Sequence, residues 1–277
     1  MLSHVVGIVS GGASGLGGGA ASYLVRKGAR VIVADLPQQR EKFLQMAAVA
    51  CGDAAMESST PHDGDILAFA ETDVTKESQV HSALDAAESY FGEPVNLVVN
   101  CAGIAEARKT LSKSKKEEGV FVPHSLGEFS KTLQINTVGT FNLSRLAAAR
   151  MATRDPDENG VRGCIIHTAS IAAYDGQIGQ VAYSASKGAI VGMTLPMARD
   201  LAPSGIRVMT IVSKHTHKRD SRERNAKITL IACVVYLFHT CSGTRVVSNT
   251  PARRVARCGK DGVGADGAIA FKARRSA

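Results

Sequence analysis

Short apolar runs alternate with longer helical stretches over the first 211 of the chain's 277 residues. Val5–Val9 and Val31–Ala34 are predicted strands, and Ala20–Lys27 between them is a predicted helix. Strands without polar alternation, separated by helices, predict a doubly wound α/β fold whose parallel sheet is covered on both faces, with right-handed crossovers. The later predicted elements are strand Ile66–Ala70, helix Glu77–Phe91, strand Val95–Val99, helix Leu126–Met151, strand Cys164–His167, helix Val181–Leu201 and strand Ile206–Ile211.

Three segments fall outside this alternation. Gly52–Asp65 and Arg108–Glu118 are polar and have no period, so we expect surface loops there. Ile228–Phe238 is the one apolar run after the sixth predicted strand. Unless it pairs with that strand or covers it, the strand leaves an exposed edge that favours aggregation.

The charge divides the chain into two parts. Residues 1–211 carry 19 Lys+Arg and 21 Asp+Glu, whereas residues 212–277 carry 14 and 4, so the net charge of +8 comes entirely from the second part. We therefore predict one domain over 1–211, followed by a basic segment over 212–277 to which no fold is assigned.

Composition excludes several protein classes. With 44% hydrophobic and 21% charged residues, the chain is typical of globular proteins and unlike collagen, coiled coils or disordered chains. Its longest apolar stretch has 11 residues, whereas a membrane-spanning helix needs about 20, and we expect an intracellular location with neither membrane anchor nor signal peptide. The 6 cysteines form no C-x-x-C pair, so we expect free thiols and no metal site.

A glycine-rich turn follows the first predicted strand. Gly11, Gly15 and Gly17 have the spacing that lets a turn adopt positive φ, approach a phosphate and pack a helix closely on a sheet. The helix N-terminus would then bind a pyrophosphate. Asp35 ends the next strand, where a carboxylate can accept both ribose hydroxyls of an adenosine and repel a 2′-phosphate, which selects NAD over NADP. The alternatives are a tight turn without a ligand and an ordinary residue at a strand end.

Three polar residues are candidates for chemistry. Tyr183 and Lys187 lie four residues apart in a predicted helix, so their side chains share a face. A neighbouring ammonium lowers the pKa of a phenol toward the range in which it exchanges a proton with an alcohol. Ser170 follows the fifth predicted strand and can hold the substrate oxygen. A Tyr and a Lys at this spacing are also common as surface neighbours.

Several motifs occur together, in one order and at consistent separations: Ser10-Gly11-x3-Gly15-x-Gly17, Asp73-Val74, Asn100-Cys101-Ala102-Gly103, Asn136, Ser170 and Tyr183-Ser184-Ala185-Ser186-Lys187. On these motifs the chain resembles the classical short-chain dehydrogenase/reductase family over 211 of its 277 residues. Within the family it is most similar to members that oxidise 3-hydroxyacyl-CoA or hydroxysteroids.

The resemblance implies a Rossmann-type fold and NAD-linked oxidation of a secondary alcohol. Tyr183 would be the acid/base, Lys187 would hold the nicotinamide ribose, Ser170 would position the alcohol oxygen, Asn136 would anchor a proton-relay water, and Gln177 would lie beside the substrate. A homotetramer and a mitochondrial location are implied too, although no Arg-rich leader precedes the first strand, which leaves the cytoplasm as the alternative. The implied dinucleotide-binding residues are Gly11, Ser14, Gly15, Leu16, Gly17, Asp35, Asp73, Val74, Asn100, Cys101, Ala102, Gly103, Tyr183 and Lys187.

The resemblance stops abruptly after Ile211. Family members have a Pro-Gly turn there that closes over the nicotinamide, whereas this chain reads Val212-Ser213-Lys214. Because pattern and charge change together, we hypothesise that 212–277 comes from a shifted reading frame or an unspliced intron. Finding no family sequence in the other two frames of the coding DNA would contradict this hypothesis. Loss of the turn predicts weak activity and low stability.

Two other functions remain open. The basic segment permits an RNA-associated scaffold, but its aromatics Tyr236, Phe238 and Phe271 are not interleaved with basic residues as base stacking requires, which disfavours nucleic acid as a partner. The other is a catalytically impaired protein of the same fold. If NAD raises the thermal stability of the chain, its cofactor pocket is formed, which distinguishes an enzyme from the catalytically impaired protein.

Overall fold

A computed structural model describes residues 1–51, 66–215 and 228–234 of the chain. Its strands are β1 Val6–Ser10, β2 Arg30–Asp35, β3 Leu67–Glu71, β4 Leu97–Asn100, β5 Leu111–Lys113, β6 Phe121–Pro123, β7 Gly163–Ser170, β8 Ile206–His215 and β9 Ile228–Val234. Its α-helices are α1 Gly15–Arg26, α2 Arg40–Cys51, α3 Glu77–Phe91, α4 Leu126–Leu133, α5 Gly139–Met151 and α6 Val181–Leu201, and a π-helical turn, Gln134–Val138, joins α4 to α5.

The main sheet has seven strands in the order β3-β2-β1-β4-β7-β8-β9. The first six are parallel, and the order reverses between β1 and β4. In such sheets ligands bind beyond the carboxyl ends of the strands at the point of reversal. The doubly wound, Rossmann-type α/β fold predicted from the sequence is confirmed.

The core lies on both faces of this sheet. Buried side chains of α3, α5 and α6, such as Leu84, Leu143 and Met197, pack with strand residues on one face. On the other face, Ala21 and Val25 of α1 and Phe43 of α2 pack on the strands. The central strand β1 is buried at all five positions, which explains why its sequence shows no polar alternation.

The pairing that the sequence left open for Ile228–Phe238 occurs at the last strands of the sheet. β8 runs past Ile211 to His215, and β9 pairs with it antiparallel, so a strand from the basic segment covers the edge of β8. A strand that continues through 212–215 requires free backbone N–H groups, which a proline in that stretch could not supply. The rest of the basic segment, like the insertion 52–65, lies outside the described residues.

Two local predictions need correction, and one helix was missed. The segment Arg108–Glu118 is exposed as expected, but it is not a simple loop, because β5 within it pairs with β6 in an antiparallel hairpin. The predicted helix Leu126–Met151 is interrupted by the π-helical turn. Helix α2 was not predicted, since its two buried residues among twelve give a weak periodic signal.

Among the described residues, no helix is long and apolar enough to cross a membrane. No group of three or more His, Cys, Asp or Glu side chains in this part of the chain could hold a metal ion.

Candidate functional site

The turn between β1 and α1 is built so tightly that glycine is required at two positions. Gly11 has φ +63°, and a Cβ there would lie 2.7 Å from the backbone nitrogen of Ala102. A Cβ on Gly17 would overlap the carbonyl oxygen of Gly11. These contacts hold the start of α1 against β1 and against the loop that follows β4.

Gly15 has a different role in the same turn. Its φ is +57°, yet a Cβ would meet no atom within 4 Å, so the backbone here faces open space. The side chain of Ser14, which precedes α1, makes no hydrogen bond to the first turn of that helix. The first N–H groups of α1 therefore border a cavity, where a helix N-terminus favours an anion.

Asp35 stands at the end of β2 and holds the glycine turn in place. One carboxylate oxygen accepts a hydrogen bond from the backbone N–H of Ala13 at 3.0 Å, and the other accepts one from Leu36 at 2.8 Å. Each oxygen keeps a lone pair for a further donor. Asp35 also lines the cavity, so its negative charge borders the space in which a nucleotide ribose would lie.

The loop after β3 forms the next part of the wall. The Asp73 carboxylate accepts hydrogen bonds from the backbone N–H and the hydroxyl of Thr75, at 2.9 Å and 2.7 Å. Val74 is 5% exposed and packs so closely on Gly139 of α5 that a Cβ on that glycine would lie 2.5 Å from it. The loop is thus fixed from both sides.

Lys187 is a buried ammonium whose hydrogen-bond partner is neutral. Its side chain is 6% exposed, and Nζ donates to the backbone carbonyl of Thr168 at 2.8 Å. Burial lowers its pKa to about 8, and the nearby Cys101 thiol opposes this shift. At pH 7 the amine is therefore mostly protonated. Burial acts in the other direction on Cys101, whose pKa rises to about 11, so the thiol stays protonated.

Tyr183 lies half-buried one helical turn before Lys187. Burial raises the pKa of its phenol, and a hydrogen bond with Ser170 partly offsets that rise. We expected the Lys187 ammonium to lower this pKa. In the structure Nζ bonds to the Thr168 carbonyl and lies 5.7 Å from the centre of the Tyr183 ring, so the ammonium and phenol share a cavity wall without bonding to each other.

Asn136, on the π-helical turn, is fully buried and fastens two elements of the site together. Its side-chain oxygen accepts from the backbone N–H of Ile104 at 2.8 Å, and its amide donates to the Ile104 carbonyl at 2.9 Å and to the Ser186 hydroxyl at 3.0 Å. Both amide N–H groups are thus used, whereas the side-chain oxygen keeps a second lone pair, and the expected role of Asn136 in anchoring a relay water stays a prediction. Ser186 in turn donates to the Tyr183 carbonyl at 2.7 Å.

These elements enclose a cleft of about 830 Å³ at the carboxyl ends of the strands. Thirteen residues predicted from the sequence line it: Gly11, Ser14, Gly15, Leu16, Gly17, Asp35, Asp73, Val74, Cys101, Ala102, Gly103, Tyr183 and Lys187. Four predicted residues are not among its lining residues: Asn100, Asn136, Ser170 and Gln177. Ser170 is connected to the cleft by its hydrogen bond with Tyr183. Gln177 is exposed, and no described residue that lines the cleft donates a hydrogen bond to it.

The cleft has lining residues that the motifs did not identify. They are Ala34, Leu36, Gln39, Thr72, Thr75, Ile104, Ala105, Lys131, Gln134, Ile135, Thr168, Ala169 and Ser213. Most of these residues come directly after a predicted strand or a motif residue. Their position at the carboxyl edge of the sheet could therefore have predicted that they line the cleft. Lys131, Gln134 and Ile135 come from α4 and the π-helical turn, whose approach to the cleft no local pattern indicates.

Asn100 belongs to a buried polar cluster behind the cleft and not to its wall. Its amide donates to the Ser144 hydroxyl at 3.0 Å, and Ser144 donates its only proton to the Thr140 carbonyl at 2.7 Å. The remaining contact of that hydroxyl, 3.2 Å to Nε2 of His167, must therefore be donated by the histidine. His167 therefore carries a proton on Nε2, and its Nδ1 is buried without a hydrogen-bond partner among the described residues, as suits the neutral imidazole.

This cluster predicts an acid-sensitive fold. His167 is 0% exposed, and burial, assisted by the Lys187 charge, lowers its pKa to about 4 from a usual 6.5. Between these two pH values the unfolded chain binds a proton that the folded chain does not, so stability falls as the pH falls. Over this window the loss approaches about 3 kcal/mol.

Urea unfolding of the wild type and of His167→Gln between pH 7 and pH 4 tests this prediction. The variant should lose less free energy of unfolding than the wild type across the window. The matched control is His81→Gln, which replaces a histidine of α3 whose side chain is 44% exposed and should follow the wild-type profile. Parallel profiles for the wild type and His167→Gln would contradict the assignment.

The residues present fit a dinucleotide. The open backbone at Gly15, the helix N-terminus beside it and the carboxylate of Asp35 suit a pyrophosphate with an adenosine ribose next to it. At the other end of the cleft, Lys187 has one described acceptor, so a protonated amine with three donors can bind further oxygens.

Comparisons with known proteins agree with this geometry. Residues 5–227 match the family model described as short chain dehydrogenase. The chain is 47% identical over 211 residues to 3-hydroxyacyl-CoA dehydrogenase type-2 of Drosophila melanogaster, covering 76% of this chain and 74% of that one. The human protein of the same name is 47% identical over 210 residues, covering 76% and 72%. A crystal structure of 3-hydroxyacyl-CoA dehydrogenase type-2 from Mycobacterium avium superposes with a TM-score of 0.61 and 37% identity, covering 74% and 72%.

Proposed function

Because the chain belongs to the short-chain dehydrogenase family and is thus an oxidoreductase, we propose that it oxidises a secondary alcohol to a ketone with NAD. The observation that supports this most directly is the single cleft that Asp35, the glycine turn, Lys187 and Tyr183 all line. Along this cleft there follow, in order, an acidic residue for a ribose, a helix N-terminus for phosphates and a phenol beside an amine.

Tyr183 is the proposed acid/base. As the phenolate, stabilised by the hydrogen bond from Ser170, it takes the proton of the substrate alcohol and becomes the neutral phenol while the hydride leaves the same carbon. Since burial raises the pKa of Tyr183, the protein environment alone favours the neutral phenol. When bound, NAD supplies the hydride acceptor and a positively charged ring, which favours the phenolate.

Lys187 is the proposed ribose ligand. Its amine is held by the Thr168 carbonyl, so it enters the cleft in a fixed direction. A mostly protonated amine at pH 7 can donate to ribose hydroxyls and adds a positive potential around Tyr183. Asn136 contributes indirectly, because its amide ties the loop at Ile104 to Ser186 and so to the backbone of Tyr183.

NAD is proposed over NADP because of the Asp35 charge. We expect the wild type to bind NADH at least about tenfold more tightly than NADPH, a difference of about 1.4 kcal/mol. Asp35→Asn keeps one acceptor oxygen, replaces the other with an NH2 group and removes the charge, so it should weaken NADH binding and reduce the preference by at least about threefold. Titration calorimetry with both cofactors measures this. Asp200→Asn, an exposed change at the end of α6, is the control, and equal preferences in all three proteins would contradict the proposal.

The proposed substrate class is a 3-hydroxyacyl-CoA or a hydroxysteroid, by similarity to the named relatives. Formation of NADH from NAD with 3-hydroxybutyryl-CoA or a 17β-hydroxysteroid tests the reaction. Stabilisation by NADH in a thermal-shift assay, without turnover of either substrate, would favour the catalytically impaired alternative.

A homotetramer, a mitochondrial location and a domain boundary near 211 remain predictions from the sequence. Light scattering after size-exclusion chromatography measures the first, and fractionation of source cells tests the second. The strand β8 crosses the proposed boundary and ends at His215.

A further inference from the structure

Ser213 is a polar residue of the cleft for which the proposed reaction has no role so far. It is 5% exposed, lies near the end of β8 and lines the same cleft as Lys187 and Tyr183. In the parallel register of β7 and β8 it is paired with Ser170, so it stands one strand away from the residue that contacts the phenol.

The backbone at this position is irregular. The pairing between β8 and β9 shifts register between Val212 and Ser213, which is a β-bulge or a similar irregularity. Such irregularities turn a side chain away from the regular pleat and are frequent beside active sites. Val212 is buried in an apolar cluster with Ala169 and Ile190, whereas the next side chain, Ser213, borders the cleft.

The hydroxyl of Ser213 is available as an acceptor. It donates its proton to the Ala169 carbonyl at 3.3 Å, and no described N–H or O–H group donates to it. A hydroxyl oxygen has two lone pairs, so a donor from a ligand can bind there. Two nearby side chains are less suitable, because the Thr168 hydroxyl already bonds to the Asn100 carbonyl and the Cys101 thiol is a weak acceptor.

The position along the cleft indicates which donor this is, on the basis of the proposed NAD-dependent function. In the proposed function Asp35 binds the adenosine ribose and Lys187 with Tyr183 lies at the second ribose, and all three residues line the cleft. The nicotinamide ring is attached to that ribose, and its carboxamide carries an NH2 group. We propose that the Ser213 hydroxyl accepts a hydrogen bond from this NH2 group and thereby fixes the rotation of the ring.

Three ligands separate this contact from the rest of the binding site. NADH has the carboxamide NH2, reduced 3-acetylpyridine adenine dinucleotide replaces it with a methyl group, and ADP-ribose lacks the ring. Titration calorimetry of the full chain should give about three- to tenfold weaker NADH binding for Ser213→Ala, with the other two affinities unchanged within about twofold. Ser22→Ala, which removes a buried hydroxyl of α1 that does not line the cleft, should leave all three affinities unchanged.

Every other result contradicts the assignment. Unchanged NADH affinity in Ser213→Ala means that the hydroxyl makes no contact, and equal losses for all three ligands mean that it only supports the cleft. A loss shared by NADH and the acetylpyridine analogue, but not by ADP-ribose, means that Ser213 contacts another part of the ring. A wild-type chain that binds neither NADH nor ADP-ribose contradicts the proposed function itself, and the two failures are thus distinguishable.

Discussion

Tyr183→Phe should lower kcat for alcohol oxidation by about 10²- to 10⁴-fold, the range that a positioned acid/base contributes. The change removes the one phenol oxygen that contacts Ser170 and leaves the ring beside Lys187. Because Lys187 keeps its bond to the Thr168 carbonyl, NADH affinity should stay within about threefold of the wild type. Steady-state kinetics and calorimetry on the same preparation measure both quantities.

The control for this substitution is Tyr90→Phe. Tyr90 is a partly buried tyrosine of α3 that packs against the core and does not line the cleft, so its loss of a hydroxyl should leave kcat unchanged. If Tyr183→Phe retained a kcat within about fivefold of the wild type, the phenol could not be the acid/base, and another group would have to carry the proton.

The second large effect is expected from Gly17→Ala. A Cβ at this position would overlap the Gly11 carbonyl oxygen and approach the Gly12 Cα to 3.0 Å, and neither is a flexible side chain that can move aside. The start of α1 must therefore shift away from β1. We expect a loss of about 1–3 kcal/mol in the free energy of unfolding and NADH binding at least about tenfold weaker.

Gly19→Ala provides a matched control on the same helix. Gly19 is exposed, and a Cβ there would meet no atom within 4 Å. Since alanine is the better helix former, this variant should be more stable by about 0.5–1 kcal/mol and bind NADH like the wild type. Urea unfolding and calorimetry on both variants measure these effects. Similar behaviour of the two variants would show that close packing of the glycine turn has no part in binding.

The elements with strong periodic signals were predicted well. The helices α3 and α6 begin and end at the residues expected from the sequence. The buried face of α3 is apolar, whereas that of α6 also includes Ser186, Lys187 and Thr194. The predicted strands fall within two residues of the observed start, and the sequence of β1 shows its burial directly. The unforeseen hairpin of β5 and β6 is exposed at every position, and its strands have 3 residues each, too few to show an alternating pattern.

The candidate site residues also fall into two groups, those that line the cleft as predicted and those that do not. Residues whose role depends on backbone conformation or strand ends, such as Gly11, Gly15 and Asp35, line the cleft as expected. Asn100 does not line the cleft, since its side chain donates a hydrogen bond to Ser144 of α5 instead. A strand residue points to one face or the other, and a motif alone does not say which face borders the ligand.

For this protein, the order of apolar runs and turns determined the α/β class and the parallel sheet, and the spacing of Tyr183 and Lys187 placed both on one helix face. These features depend on local geometry, which repeats every 2.0 or 3.6 residues and can be read along the chain. Only the tertiary structure decided that the Lys187 amine bonds to Thr168, that Asn136 fastens Ile104 to Ser186, and that β8 continues to bring Ser213 into the cleft. Those contacts join residues far apart in sequence, so they depend on how whole elements pack and on which buried polar groups find partners.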